Sequence, residues 1–502
     1  MSILKYSFRL LSFLIPTLLV TNYILNHYYS GQSSVLDTGW FTYLLTQSTS
    51  LPVANPLKGL LDDSYFTTHL SLFYYPLSLL YSLVETFISP QLYFALFMGS
   101  LYGMIALAVF LAGEQFVSDK WTLMILFIMA TLTPLNGVAL GTIGFPHIEI
   151  AIPALLLLSV ALYFRGNRYG SYFVVIALLM IREDAGFHLF GLFITLIVFY
   201  YFISKELKSL PKDLLYMALF SLLFSIVVIA IQKIFFAGDN ALERIYLGQP
   251  HFAHLSFDFI QDRVEFFFYN RSYLYLPMFL LIPLAFWNRN PFLVVPLIST
   301  LPWLLLSSIA VITMPHSLSN YYAFPFITLL AWPIFAFLIN SSLTNSRPAK
   351  VSKIFITIAS TTLLSTALFI GTVGHVDNTP WRDFGWEYLK KKESIQSAIR
   401  EVIDHKELFG ETLYDEAMSS FMVERLGKDE YGYLNDYFQP QKDKAKSIIF
   451  FASSLSDIEP LFKEKSFPYT YRVVKSDILI ASEYRLEEYS DAFVRIPLPQ
   501  SH

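Results

Sequence analysis

Apolar residues run in long blocks broken by short polar stretches. They do not show the two-residue alternation of half-buried strands or the narrow stripe of a soluble amphipathic helix. The blocks fall near 8–29, 70–88, 91–113, 121–141, 145–164, 170–182, 185–203, 214–236, 273–288, 291–312, 319–340 and 354–374. Runs of about 17 to 25 residues match a hydrocarbon core of roughly 30 Å. The pattern predicts a mainly α protein, a polytopic transmembrane helical bundle of about 11 to 13 hydrophobic segments. Beyond about residue 375 the pattern becomes that of a soluble chain: helices over 386–405, 416–426 and 456–465 alternate with strands over 411–414, 446–452, 469–474 and 478–482. Such alternation predicts a C-terminal soluble α/β domain. The expected organisation is a transmembrane domain, 1–374, with long outer loops at 30–69 and 237–272, and an extracytoplasmic domain, 375–502.

Charge sharpens this division. Only 15% of the 502 residues are charged, and 34 of those 74 charges lie in the first 374 positions, against 40 in the last 128. A net charge of −4 gives no reason to expect a nucleic-acid partner. With no cysteine, disulfides, thiolate metal sites and a cysteine nucleophile are excluded. Cytoplasmic loops retain Lys and Arg. Lys5, Arg9, Lys120, Arg165, Arg168, Lys205, Lys208, Lys212, Arg289, Arg347, Lys350 and Lys353 fall on one side if the block at 70–88 does not fully cross. That places the N-terminus in the cytoplasm and the C-terminal domain outside a plasma (inner) membrane. The first block follows Lys5 and Arg9 but lacks a small-residue cleavage site, so it reads as an uncleaved anchor.

Ionisable residues at membrane depth are the candidate chemistry, because a charge at the bilayer centre costs about 2.5 to 3.5 kcal/mol even on insertion scales. Arg182, Glu183 and Asp184 interrupt an apolar stretch from Tyr172 to Tyr201. Thirty helical residues would span about 45 Å, so the chain must break there. The triplet reads either as a self-paired outer turn or as the polar floor of an outward cavity. His147 and Glu149 open another block, but side chains two apart share no helix face. Acting together would need an extended start there. His69 opens the block at 70–88; His316, Tyr321 and Tyr322 mark another outer end, where tyrosine is ordinarily an interfacial anchor. Asp37 reads as a helix cap in the first outer loop. Motifs for P-loop nucleotide hydrolysis, zincin proteolysis, dinucleotide binding and the serine-hydrolase elbow are missing.

The segments Leu36-Asp37-Thr38-Gly39-Trp40-Phe41, Thr68-His69-Leu70-Ser71, Phe145-Pro146-His147-Ile148-Glu149, Arg182-Glu183-Asp184 and Asn320-Tyr321-Tyr322, in this order, resemble the membrane family called domain of unknown function 2079. The sequence departs from that pattern in having Leu72 where the family has proline after His-Phe-Ser, in the order around His147, and in Arg182 for a lysine. The family is itself similar to GT-C class glycosyltransferases. The resemblance implies transfer of a sugar from a polyprenyl-phosphate donor to an extracytoplasmic acceptor. Asp37 would be a general base or the holder of a divalent metal ion, and Glu149 a second catalytic acid. His69, His147, Arg182, Glu183, Asp184, His316, Tyr321 and Tyr322 would surround the substrate and its phosphate. Two other classes stay open: a transporter or channel that uses the buried charges as a path, and a non-catalytic scaffold or sensor. The lipid bilayer is the partner that the pattern itself implies, and nothing in it selects an oligomeric state.

Overall fold

The computed structural model describes residues 2–30, 35–55, 64–204, 211–236, 243–312, 315, 318, 320–344, 350–372 and 392–393, together with five strands in the last 128 residues. The described residues are mainly helical. They fall into two compact units. One comprises Met1–Thr21, Phe66–Tyr74 and Leu96–Arg382; the other comprises Asn22–Tyr65, Tyr75–Ala95 and Asp383–His502.

Among the described residues, six helices are long and apolar enough to cross a membrane: Ser2–Tyr29, Pro90–Phe116, Ala185–Ser204, Lys212–Phe235, Pro291–Ser308 and Val351–Gly371. Two bent pairs raise the number to as many as eight, with angles of 49° and 47°. The expected blocks at 121–141 and 319–340 are therefore broken helices. In the first, Pro134 ends α5 (Lys120–Leu132) and Asn136 restarts the chain as α6 (Gly137–Ile143), its Oδ1 accepting from the Val138 and Ala139 amides. In the second, Pro333 follows Trp332 at the break. Three shorter apolar helices, Ile148–Phe164, Arg168–Leu179 and Ser272–Asn288, accompany these. The block at 70–88 holds only a nine-residue helix, Tyr74–Ser82, about 13 Å long and too short to cross.

In the first unit, two neighbouring helices meet through small residues while large apolar side chains face outward. In α10 (Lys212–Phe235), Ser221 and Ser225 are fully buried, while Leu219, Phe220, Leu223, Ile226 and Val227 point outward. Ser225 Oγ accepts the Gly186 amide at 3.0 Å, and a Cβ at Gly186 would lie 2.1 Å from the Ser221 carbonyl oxygen. Only glycine lets α9 (Ala185–Ser204) approach α10 so closely. Small residues inside and large apolar residues outside are the signature of helices packing in lipid, where the apolar face has no reason to turn inward.

Polar groups gather at both ends of this unit. α7 (Ala151–Phe164) is 14 residues, about 21 Å, and joins the two ends. Beyond its C-terminus, Arg165 meets Glu114 at 2.5 Å. Arg9 of α1 (Ser2–Ser30) donates to both oxygens of the same carboxylate at 2.8 and 2.5 Å, and Lys5 Nζ donates to the Glu114 carbonyl at 3.1 Å. Close by in sequence, Arg168 pairs with Asp213 at 3.0 Å, and Tyr163 donates to that carboxylate at 2.7 Å. This end collects basic residues. At the N-terminal end of α7 lies the other polar group.

In the second unit, α2 (Val35–Gln47) is tied to α3 (Tyr74–Ser82) through Ser78. Its hydroxyl donates toward the Leu44 and Leu45 carbonyls and accepts the Ser48 amide at 2.8 Å. The expected outer loop 30–69 thus carries α2, a short bridge between Ala54 and Ser64, and a 3₁₀ turn at Tyr65–Thr67. Near the C-terminus, strands β1 (Thr412–Tyr414), β2 (Ser447–Phe451), β3 (Thr470–Val474), β4 (Ile478–Ser482) and β5 (Phe493–Ile496) pair in the order β1-β2-β4-β3-β5. Only the β1–β2 pair is parallel. The helices expected between them lie outside the described residues.

Candidate functional site

Three chain segments of the first unit meet at the N-terminal end of α7. The first is the turn between α8 (Arg168–Leu179) and α9, which carries Arg182, Glu183 and Asp184. The apolar stretch breaks there because three adjacent charges cannot continue a lipid-facing helix. The second is the 3₁₀ turn Ile148–Ile150 that leads into α7 and carries Glu149. The third is the extended segment ending at Phe73, anchored where the Leu72 and Phe73 amides both donate to the Met180 carbonyl at 3.0 Å.

Arg182 organises two of these segments. Its Nη1 donates to Glu149 Oε1 at 2.6 Å and its Nε to Asp184 Oδ1 at 2.7 Å, while Nη2 bonds Asp184 Oδ2. The Glu149 side chain is 0% exposed and that of Arg182 only 11%, so each neutralises a charge that neither could carry alone at that depth. Asp184 immediately precedes α9, where a carboxylate also meets the positive end of the helix dipole. Burial opposes its ionisation, but the Arg182 charge and hydrogen bonds hold its carboxyl below the usual carboxylate range.

Glu183 turns the other way. One oxygen holds His69 Nδ1 at 2.9 Å and the other accepts the Leu70 amide at 3.0 Å. His147 has an extended backbone (φ −134°, ψ 144°), and this lets its Nδ1 reach Glu149 Oε2 although the two are only two residues apart. Its ring stacks on Tyr321 at 3.8 Å, and Tyr321 stacks on Tyr322 at 4.2 Å, within the 3₁₀ turn Asn320–Ala323. A second aromatic group adjoins: Trp303 lies 5.3 Å from His188 and 6.5 Å from Tyr246, and its indole N–H donates to the Tyr322 carbonyl at 3.3 Å. Burial first, and Tyr322 second, raise the Tyr246 phenol, which keeps it neutral.

The structure thus brings together His69, His147, Glu149, Arg182, Glu183, Asp184, Tyr321 and Tyr322. Asp37 lies in the first turn of α2 in the other unit, and its side chain is outside the described residues. His316 is outside them too. Sequence reasoning passed over Tyr246, His188 and Trp303, whose only signal was being aromatic residues near helix ends. Asp184 and Glu149 engage the Arg182 Nε, Nη1 and Nη2. Among the described residues, no group of three or more His, Asp or Glu side chains is arranged to hold a metal ion. Two apolar cavities, about 510 Å³ beside Ile194, Val198, Phe202 and Pro291 and about 290 Å³ beside Tyr172, Asp213, Tyr216 and Phe220, contain none of the site residues.

Apolar helices of this number and length, with large apolar side chains on their outer faces, are those of a multi-pass membrane protein. No protein-family model, curated protein or solved structure matches the chain, so the family resemblance rests on the five sequence elements alone.

Proposed function

We propose that the chain is a GT-C-like glycosyltransferase of the plasma (inner) membrane, moving a sugar from a polyprenyl-phosphate donor to an extracytoplasmic acceptor. The observation that carries this reading is the joining of three carboxylates and two imidazoles with a stacked aromatic surface at one end of the bundle. Carboxylates and imidazole are the groups that accept hydrogen bonds from sugar hydroxyls and move their protons, and aromatic faces cover the apolar face of a sugar ring. The basic residues at the opposite end of α7 support cytoplasmic assignment of that end, and hence an outward site. By connectivity the tail then follows α16 (Val351–Thr372) to the outside.

By the family resemblance Asp37 serves as general base or holds a divalent ion. In proteoliposomes supplied with labelled polyprenyl-phosphate hexoses, Asp37→Asn is expected to fold but lose transfer. Full transfer by that variant would remove Asp37 from the mechanism. A transport reading draws on the fully buried Glu149–Arg182 pair, an arrangement also used in proton paths. Proton or sugar flux without donor consumption would favour it.

A further inference from the structure

We propose that His188, Tyr246 and Trp303 form the subsite that receives the hexose ring of the donor. The inference rests on the glycosyltransferase reading and deepens it by naming what holds the sugar. Three observations carry it. First, the ion-paired groups of the cluster are committed to one another: Arg182 to Glu149 and Asp184, and Glu183 to His69 and the Leu70 amide. The His188 imidazole and the Tyr246 phenol are not. His188 lies 5.3 Å from the Trp303 ring and 5.2 Å from that of Phe324, Tyr246 lies 6.5 Å from Trp303, and among the described residues neither side chain has a hydrogen-bond partner. Tyr246 is only 8% exposed, and a phenol buried to that degree ordinarily bonds something. Second, these side chains are held firmly beside the ion pairs. His188 stands one helical turn beyond Asp184, and Trp303 is tied to the Tyr322 carbonyl through its indole N–H. The Glu243–Leu247 turn that carries Tyr246 is pinned by the Val311 amide on the Ile245 carbonyl at 2.8 Å. Arg182 and Asp184 lie within electrostatic reach of both His188 and Tyr246. Third, the set matches a pyranose, which has an apolar face of C–H groups and a rim of hydroxyls. Trp303 and His188 are both half-buried, so the indole offers a partly open ring face. Imidazole and phenol each offer one donor and one acceptor without carrying a charge.

No bond is made or broken at this subsite. It holds the sugar in the ground state and the transition state alike, so its loss shows as weaker donor binding and a raised KM rather than a lower kcat. Because His188 and the Tyr246 hydroxyl bond no protein group, replacing them leaves no protein donor or acceptor stranded.

The test uses the full-length protein in nanodiscs. It compares binding of a panel of polyprenyl-phosphate hexoses with binding of bare polyprenyl phosphate, and reads release of free hexose to water at donor concentrations below saturation. The wild type is expected to hold at least one hexosyl lipid more tightly than the bare phosphate. Tyr246→Phe and His188→Leu are each expected to weaken the hexosyl lipid about 5- to 10-fold, to leave the bare lipid unchanged and to keep the thermal midpoint. Trp303→Leu, which removes the ring face, is expected to weaken the hexosyl lipid about 10-fold, and Trp303→Phe to restore part of that loss. Release should fall by the same factors. Unchanged hexosyl-lipid binding in Tyr246→Phe and His188→Leu, or equal weakening of both lipids, would overturn the subsite and leave the transferase reading standing. A wild type with no preference for any hexosyl lipid would also overturn it. Hexosyl-lipid binding that responds to these variants without any hexose release would uphold the subsite and overturn the transferase reading instead.

Discussion

The two ends of α7 solve the same problem with opposite surpluses. At one end a single carboxylate, Glu114, is shared by Arg9 and Arg165, with Lys5 on its carbonyl. At the other a single guanidinium, Arg182, stands among Glu149, Glu183 and Asp184. The basic cluster places the Arg9 guanidinium over the Tyr6 ring at 4.9 Å, and its arginines are 24 to 29% exposed. Surplus cation there ties three chain segments together through one carboxylate and its carbonyl. The acidic cluster carries two imidazoles and stacked rings, and its Glu149–Arg182 core is sealed while its rim, His69, is open. An ion pair made only to hold helices together needs no titratable rim. The difference sets a cation-rich end around one shared carboxylate against an acid-rich end with two imidazoles, the end on which the proposed transfer chemistry rests.

The largest expected effect comes from unbalancing the sealed core. Arg182→Met strands the fully buried Glu149 and should cost about 3 to 5 kcal/mol, read as a drop in the thermal unfolding midpoint in detergent. If the two ends differ as described, Arg182→Met combined with Glu149→Leu should recover most of that stability without recovering function. A double variant as unstable as the single one would show that the pair is not what burial makes costly.

Breaking the basic end should cost less. Glu114→Leu removes the shared partner and leaves Arg9 and Arg165 facing one another, but both are partly exposed and can turn toward headgroups, so about 3 kcal/mol is expected. Hexose release per folded molecule should be unchanged. Equal losses of release in Glu114→Leu and Tyr246→Phe would erase the distinction between the two ends.

Much of this contrast was legible in the chain. The apolar blocks announced the spans because lipid demands long uninterrupted runs, and the Arg182 triplet stood out because charge there is costly. The bends after Leu132 and at Pro333 were hidden inside apolar blocks, since proline in a lipid-facing helix kinks as readily as it ends. The pairings were not legible: His69 with Glu183 joins positions 114 apart, and nothing local announces it. Arg182 offered itself as a phosphate contact, but one residue cannot show that a carboxylate 33 positions away already holds it. Tyr246 and Trp303 were lost among 32 tyrosines, 47 phenylalanines and 7 tryptophans, too many for any one aromatic to stand out.

The smallest effect is a pH dependence that belongs to the acidic end. The Asp184 carboxyl is held below its ordinary range in the folded protein, so the unfolded chain binds its proton first as pH falls. The stability Asp184 contributes is complete above the usual aspartate value of about 3.9 and is lost as pH descends toward the folded value. Asp184→Asn removes this linkage at a cost of about 1.5 kcal/mol at neutral pH. The gap in unfolding midpoint between wild type and Asp184→Asn should therefore be constant from pH 7 to about pH 5 and narrow below about pH 4. A gap that stayed constant to pH 3 would mean that Asp184 keeps no special hold on Arg182. The acidic end would then owe its cohesion to Glu149 alone, leaving Asp184 free to contact a substrate directly.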